Sequence, residues 1–175
     1  MSYKNQSDLY LEDNISKYPA IELLCKLGFE YISPEDCMAQ RGTLYDVLLK
    51  DILRKQLNAI NQFEFGGIIY KFTADNVEKA IKDLDEPLTD GLVRTSEKIY
   101  NALMLGKSYL EKLADGTSKS FNLKYIDWEH PENTVYHVTE EFSCDSWDKQ
   151  KNARPDIVLF VNGIPFSVIE CKAPT

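Results

Sequence analysis

The stretch that most limits the fold is RPDIVLFVNGIPFSVIECK, residues 154–172. Two apolar runs flank Asn162-Gly163, and most of the stretch reads as β-hairpin. Such a chain is predicted to bury an antiparallel hairpin. Yet Asp156 opens the first run, and Glu170 and Lys172 close the second. Charges rarely enter such runs unless they are paired, bind a metal or do chemistry.

Side chains alternate faces along a strand, so Asp156, Val158 and Phe160 share one face of the first strand. Phe166, Val168, Glu170 and Lys172 share one face of the second. A plain two-residue turn pairs Val161 with Ile164 and Asp156 with Ile169, which sends the two carboxylates to opposite faces. An odd loop over residues 161–163, with Gly163 left-handed beside a bulge, instead pairs Asp156 with Val168. Glu170 is then the diagonal neighbour of Asp156 on one face, and this odd register is the predicted one.

Adjacent carboxylates repel unless a proton or cation sits between them. Hard oxygen donors favour magnesium or manganese, and the backbone carbonyl of Cys171 adds a third candidate oxygen. Lys172 is placed to orient or activate a water and to offset charge on a phosphoryl transition state. The set Asp156, Glu170 and Lys172 suits phosphodiester hydrolysis. The bland alternative makes Asp156 an exposed strand start, with Glu170 and Lys172 in a fraying ion pair, since short patterns recur by chance. Pro155, the hairpin length and the apolar filling of both strands favour the site. By alternation Cys171 points to the opposite face, as a buried thiol.

The 175 residues fit one domain. The net charge of −8 argues against a general nucleic-acid binder, because phosphate contacts demand Lys and Arg. One local exception, Lys149, Lys151 and Arg154, clusters just before Asp156; it is either a solvated loop or a DNA-binding patch. Cys25, Cys37, Cys144 and Cys171 lack metal-site or disulfide-frame spacing and suit reduced thiols. No apolar run reaches membrane-span length, and the first residues lack a signal-peptide core. A cytoplasmic location is expected.

Residues 1–116 are predicted mainly helical and 117–175 to form a sheet segment, both sharing one core. Helices are expected over about 8–27 with Gly28 as stop, from a Thr43/Asp46 box carrying Leu44, Val47, Leu48, Ile52 and Ile60, from Thr73 to Leu84, from Thr89 to near Gly106, and briefly over 109–113. Residues 65–72 suggest a short strand or turn. Residues 120–126 and 135–142 suggest strands separated by a loop at 129–133. The predicted class is α/β, a mixed sheet flanked by helices.

Arg154-Pro155-Asp156 with Glu170-Cys171-Lys172 resembles the PD-(D/E)XK nuclease motif. The flanking words Ile126-Asp127-Trp128-Glu129-His130-Pro131-Glu132-Asn133, residues 154–165 and Glu170-Cys171-Lys172-Ala173-Pro174 resemble the N-terminal endonuclease domain of the R subunit of type I restriction-modification enzymes. The good match covers about residues 119–174. The resemblance implies a restriction-endonuclease-like fold and Mg2+-dependent cleavage of double-stranded DNA, in a complex with modification and specificity subunits. Asp156 and Glu170 become metal ligands by this carry-over and Lys172 the catalytic lysine. Asp13 and Glu22 are candidates for an acidic residue that some members carry on the first helix. The helix that follows the motif in the family, with its Gln-x-x-x-Tyr pattern, is missing, as is a phosphate loop for the ATP-driven motor. The chain is therefore expected to be an N-terminal fragment of a longer subunit, truncated at its C-terminus. The competing reading is a non-catalytic docking module holding such a subunit to its partners.

His130 and His137 have no ligand-like spacing, and structural roles are expected for both. Trp128 and Trp147 are expected in the core or at a rim, with base stacking as the alternative.

Overall fold

The computed structural model describes residues 13–85, 91–145 and 152–172. In chain order they form α1 (Tyr18–Lys26), β1 (Glu30–Tyr31), α2 (Pro34–Arg41), α3 (Lys50–Ile60), β2 (Phe63–Phe65), β3 (Ile68–Tyr70), α4 (Ala74–Leu84), α5 (Leu92–Leu105), β4 (Lys107–Lys112), β5 (Ser118–Leu123), β6 (Tyr136–Glu140), β7 (Cys144–Asp145), β8 (Asn152–Ala153), β9 (Ile157–Val161) and β10 (Ile164–Ile169). The chain divides into two compact units, one of Met1–Leu49 with Tyr136–Thr175 and the other of Lys50–Val135.

The first unit is built on a four-stranded mixed sheet in the order β1-β6-β9-β10. β1 runs parallel to β6, with Glu30 opposite His137, and the other pairs are antiparallel. Period-two alternation gives the sheet two different faces. Val138 and Ile157 pack with Ile21 of α1 and with Cys171, and Leu159 and Ile169 join that cluster. On the other face Phe160 meets Phe142, and Arg41 of α2 stacks on the Phe142 ring with its guanidinium carbon 3.9 Å from the centroid. Burial draws the Arg41 guanidinium below its usual pKa, and the group is satisfied by the carbonyls of Leu44 and Asp46. β10 is the sheet's edge, and Phe166 and Val168 remain about half exposed on it.

Two helix predictions in this unit are revised. Residues 13–17 form a π-helical turn before α1, because Pro19 in the first turn of α1 brings no backbone N–H donor. Gly28, at φ +103°, ends that helical region as expected. Thr43 and Asp46 do bond each other as a capping box, but they close an irregular turn after Gly42, and α3 starts only at Lys50. Leu48 and Leu49 are buried from that turn, where the Leu49 N–H donates to the Gly163 carbonyl at 2.8 Å.

In the second unit α3 buries Leu53, Gln56 and Leu57, and α4 buries Val77, Ala80 and Ile81, each set at helical spacing. β2 and β3 form a hairpin around Gly66-Gly67, and Phe63 stacks on Phe121 at 4.0 Å. Thr73 stands at the N-cap of α4 as predicted, but its hydroxyl and its N–H both donate to the buried carboxylate of Glu111. The short helix expected over 109–113 is instead strand β4, paired with β5. Its burial alternates, with Tyr109 and Glu111 inside and Ser108, Leu110 and Lys112 outside, and helical geometry cannot satisfy that pattern. Tyr109 donates to Asp83 at 2.7 Å and lies 3.0 Å from Tyr125, whose hydroxyl reaches the Ala80 carbonyl. Thr89, the predicted start of α5, lies outside the described residues.

Gly106 ends α5 at φ +75°, and a β-carbon there would meet the Leu123 carbonyl oxygen at 2.5 Å. Gly106→Ala is expected to destabilise the protein by about 2–4 kcal/mol in urea unfolding, combining left-handed strain with a backbone clash. An effect below about 0.5 kcal/mol would mean that this corner relaxes freely.

Candidate functional site

The hairpin reaches same-face placement of its acids by a route different from the predicted one. Val161 pairs directly with Ile164, so the turn is the plain two-residue Asn162-Gly163, with φ of +53° and +82°. The extra residue lies in β10 instead, where the register shifts between Pro165 and Ser167 and leaves Phe166 as a bulge. Beyond the bulge Leu159 faces Ser167, Val158 faces Val168 and Ile157 faces Ile169. The predicted partnership of Asp156 with Val168 is therefore incorrect. Carried one step further, the observed register sets Asp156 across from Glu170, both on the face of Val158 and Val168. A bulge at Pro165-Phe166 fits the sequence, since Pro165 offers no N–H to the ladder.

Asp156 is half-buried, and its Oδ2 accepts the Cys171 N–H at 2.7 Å. Its main-chain carbonyl accepts the Glu141 N–H at 3.0 Å, and the Pro155 carbonyl accepts the Phe142 N–H at 3.2 Å. The residue is thus braced by both neighbouring strands. Glu170 and Lys172 are exposed, and no ion pair joins them among the described residues. The Cys171 side chain is buried in the cluster with Ile21, Val138 and Ile157, on the face opposite the acids as predicted.

The other candidates are scattered. Arg154 is exposed and pairs with Glu141 at 2.9 Å, while Lys149, Lys151 and Trp147 lie outside the described residues. Glu22 on α1 pairs with Lys26 at 2.6 Å, which holds its carboxyl below the usual range. Asp13 lies in the π-helical turn. His130 is exposed beside Glu132, and His137 is buried, which depresses its pKa and keeps it neutral near pH 7. All four cysteines are free. Residues 126–133 belong to the second unit, where Asp127 accepts from Asn133 and Trp128 donates to the Leu103 carbonyl.

A feature that sequence reasoning missed is a charge node at the end of β6. Lys17, almost wholly buried, donates to Glu141 at 2.8 Å and lies 3.2 Å from Glu140. Glu140 also accepts from the Tyr31 hydroxyl at 3.0 Å. No local pattern connects residue 17 with residue 141.

The donor chemistry at the hairpin's open end, two carboxylates and a main-chain carbonyl, fits a hard divalent cation that keeps several waters. Among the described residues no group of three or more His, Cys, Asp or Glu side chains is arranged to hold a metal. Any ion here would therefore rest on Asp156, Glu170, the Cys171 carbonyl and water.

A mixed sheet with helices against it, with Asp156 just ahead of β9 and Glu170 and Lys172 just past β10, is an α/β fold of restriction-endonuclease-like type. Residues 9–175 match the family described as the type I restriction enzyme R protein N terminus. The chain belongs to that family. It is 28% identical over 169 residues to a putative type I restriction enzyme MjaIXP endonuclease subunit of Methanocaldococcus jannaschii, covering 93% of this chain and 15% of the relative. It is 25% identical over 169 residues to the type I restriction enzyme HindI endonuclease subunit of Haemophilus influenzae, covering 94% and 15% respectively. A shorter match, 43% identical over 58 residues, links it to the putative MjaVIIP endonuclease subunit of the same archaeon, covering 32% and 5%. The chain thus spans about 15% of the length of the curated relatives it matches along most of its own length. No solved structure matches it significantly.

Proposed function

We propose that this chain is the nuclease part of a type I restriction enzyme R subunit and serves the Mg2+-dependent hydrolysis of phosphodiester bonds in double-stranded DNA. The observation that carries the reading is the bulge at Phe166: continuing its register one residue past Ile157 and Ile169 would bring Asp156 across from Glu170, with Lys172 two residues on. The relatives' names as endonuclease subunits support it.

Asp156, Glu170 and the Cys171 carbonyl would hold the Mg2+, which when bound supplies Lewis-acid stabilisation of phosphate charge. Lys172, a compact cation with three donors, would hydrogen-bond a phosphate oxygen or the attacking water. The water attacks phosphorus in line with the departing sugar oxygen. The bond to that oxygen breaks, the attacking water gives up a proton to solvent while the departing oxygen takes one from it, and no covalent enzyme intermediate forms. The Cys171 N–H fixes one Asp156 oxygen and leaves the other available. Lys149, Lys151 and Arg154 would meet backbone phosphates on the approach to Asp156. The work would take place in the cytoplasm, in a complex with modification and specificity subunits, and ATP would be needed only for motor domains of the full-length subunit. Among the described residues no helix is long and apolar enough to cross a membrane.

A docking role has one observation behind it. α5 buries only Thr95 and leaves Leu92, Val93, Tyr100, Met104 and Leu105 exposed. Lys172→Ala in the full-length subunit separates the readings. Nuclease function predicts cutting reduced about 100-fold or more with assembly intact. Unchanged cutting would leave the docking role standing.

A further inference from the structure

We propose that Glu141 is a positioning residue for Asp156, acting through Arg154. The inference rests on the reading of Asp156 as a metal-holding carboxylate.

β6 ends at Glu140, and the chain turns at Glu141 with φ +49°, an uncommon conformation for a residue with a side chain. The turn keeps two main-chain bonds to the segment ahead of β9, Glu141 N–H to the Asp156 carbonyl and Phe142 N–H to the Pro155 carbonyl. It also delivers the Glu141 carboxylate to two cations. Oε1 takes the Lys17 ammonium, whose side chain is only 4% exposed, and Oε2 takes the Arg154 guanidinium at 2.9 Å. Residues 154–156 precede the ladder of β9, so the strand's own pairing does not hold them.

Two restraints therefore decide where the Asp156 carboxylate points. Residues 141 and 142 grip its main chain and the Arg154 two positions upstream, and the Cys171 N–H grips its Oδ2. A carboxylate side chain has two torsions, so its direction follows the backbone frame to which it is attached. An Arg154 anchored by Glu141 holds that frame on the solvent side. Its fork has five donors, so it keeps capacity for a phosphate while paired. Lys17 carries the other end of the restraint back to the turn before α1, and it remains beside Glu140 at 3.2 Å if Glu141 is neutralised.

The Cys171 amide reports on this geometry without any metal. In the full chain, Glu141→Gln and Arg154→Ala are each expected to speed hydrogen exchange at the Cys171 amide about threefold or more, with the Phe160 amide unchanged. Mn2+ affinity is expected to fall by a similar factor, and Arg154→Lys to recover part of it. A purely structural role would shift both amides together. If Glu141→Gln fails to fold, Glu141→Gln combined with Lys17→Met removes the buried cation as well, leaves Glu140 bonded to the Tyr31 hydroxyl and carries the same measurement. Unaltered Cys171 exchange, or equal change at Cys171 and Phe160, overturns the positioning role. Wild-type Mn2+ binding by Asp156→Asn overturns the metal reading of Asp156 independently, whatever Glu141 does.

Discussion

Asp156→Asn is expected to abolish DNA cutting by the full-length subunit, with a loss of at least about 1,000-fold, equivalent to roughly 4 kcal/mol of transition-state stabilisation. The substitution keeps the shape of the side chain and an oxygen able to accept the Cys171 N–H. What it removes is the negative charge. A hydrogen bond to a charged acceptor contributes about 1.5–3 kcal/mol and a neutral one about 0.5–1.5, so the fold should lose only about 1 kcal/mol. A near-native melting curve with negligible cleavage is the expected pair of results. Cutting within tenfold of wild type would remove Asp156 from the chemistry and, with it, the proposed role of the hairpin.

Phe160→Ala is expected to be among the most destabilising single changes, at about 3–5 kcal/mol in urea unfolding. Phe160 is fully buried in β9, on the same face as Asp156, and its ring stands edge-on to Phe142 at 5.4 Å and 66°. Truncation removes its apolar burial and the aromatic pair, and leaves a void whose rigid neighbours, the strand backbones of β6 and β10, cannot close in. Val168→Ala, on the half-exposed edge strand, should cost less than about 1 kcal/mol by comparison. Equal losses at the two positions would contradict the assignment of Phe160 to the core and Val168 to an open edge.

Much of this arrangement could be read in the residues. Both hairpin strands, the helix over Ala74–Leu84 and the stop at Gly106 follow from local chemistry that acts within a few positions. Other elements could not be read that way. Lys107–Lys112 has the composition of a helix, yet it pairs with β5 because Tyr109 and Glu111 find their partners in Asp83, Tyr125 and Thr73. The Thr43–Asp46 box forms, but the Leu49 N–H that a helix would turn inward goes instead to the Gly163 carbonyl. At the candidate site, parity was foreseen, and the position of the odd residue was not. The loop and the bulge satisfy period-two alternation equally well, and backbone pairing chose the bulge.

The sequence by itself determined the hairpin and the kinds of side chain at its open end, because those depend on neighbours along the chain. Tertiary structure alone decided that the odd residue of the hairpin is Phe166 in β10, that two residues near position 30 complete the sheet in parallel, and that Lys17 and Arg154 converge on Glu141. Lys17 and Glu141 stand 124 positions apart. Their attraction becomes effective only after the sheet has brought them within a few ångströms and excluded water, and no local pattern encodes that.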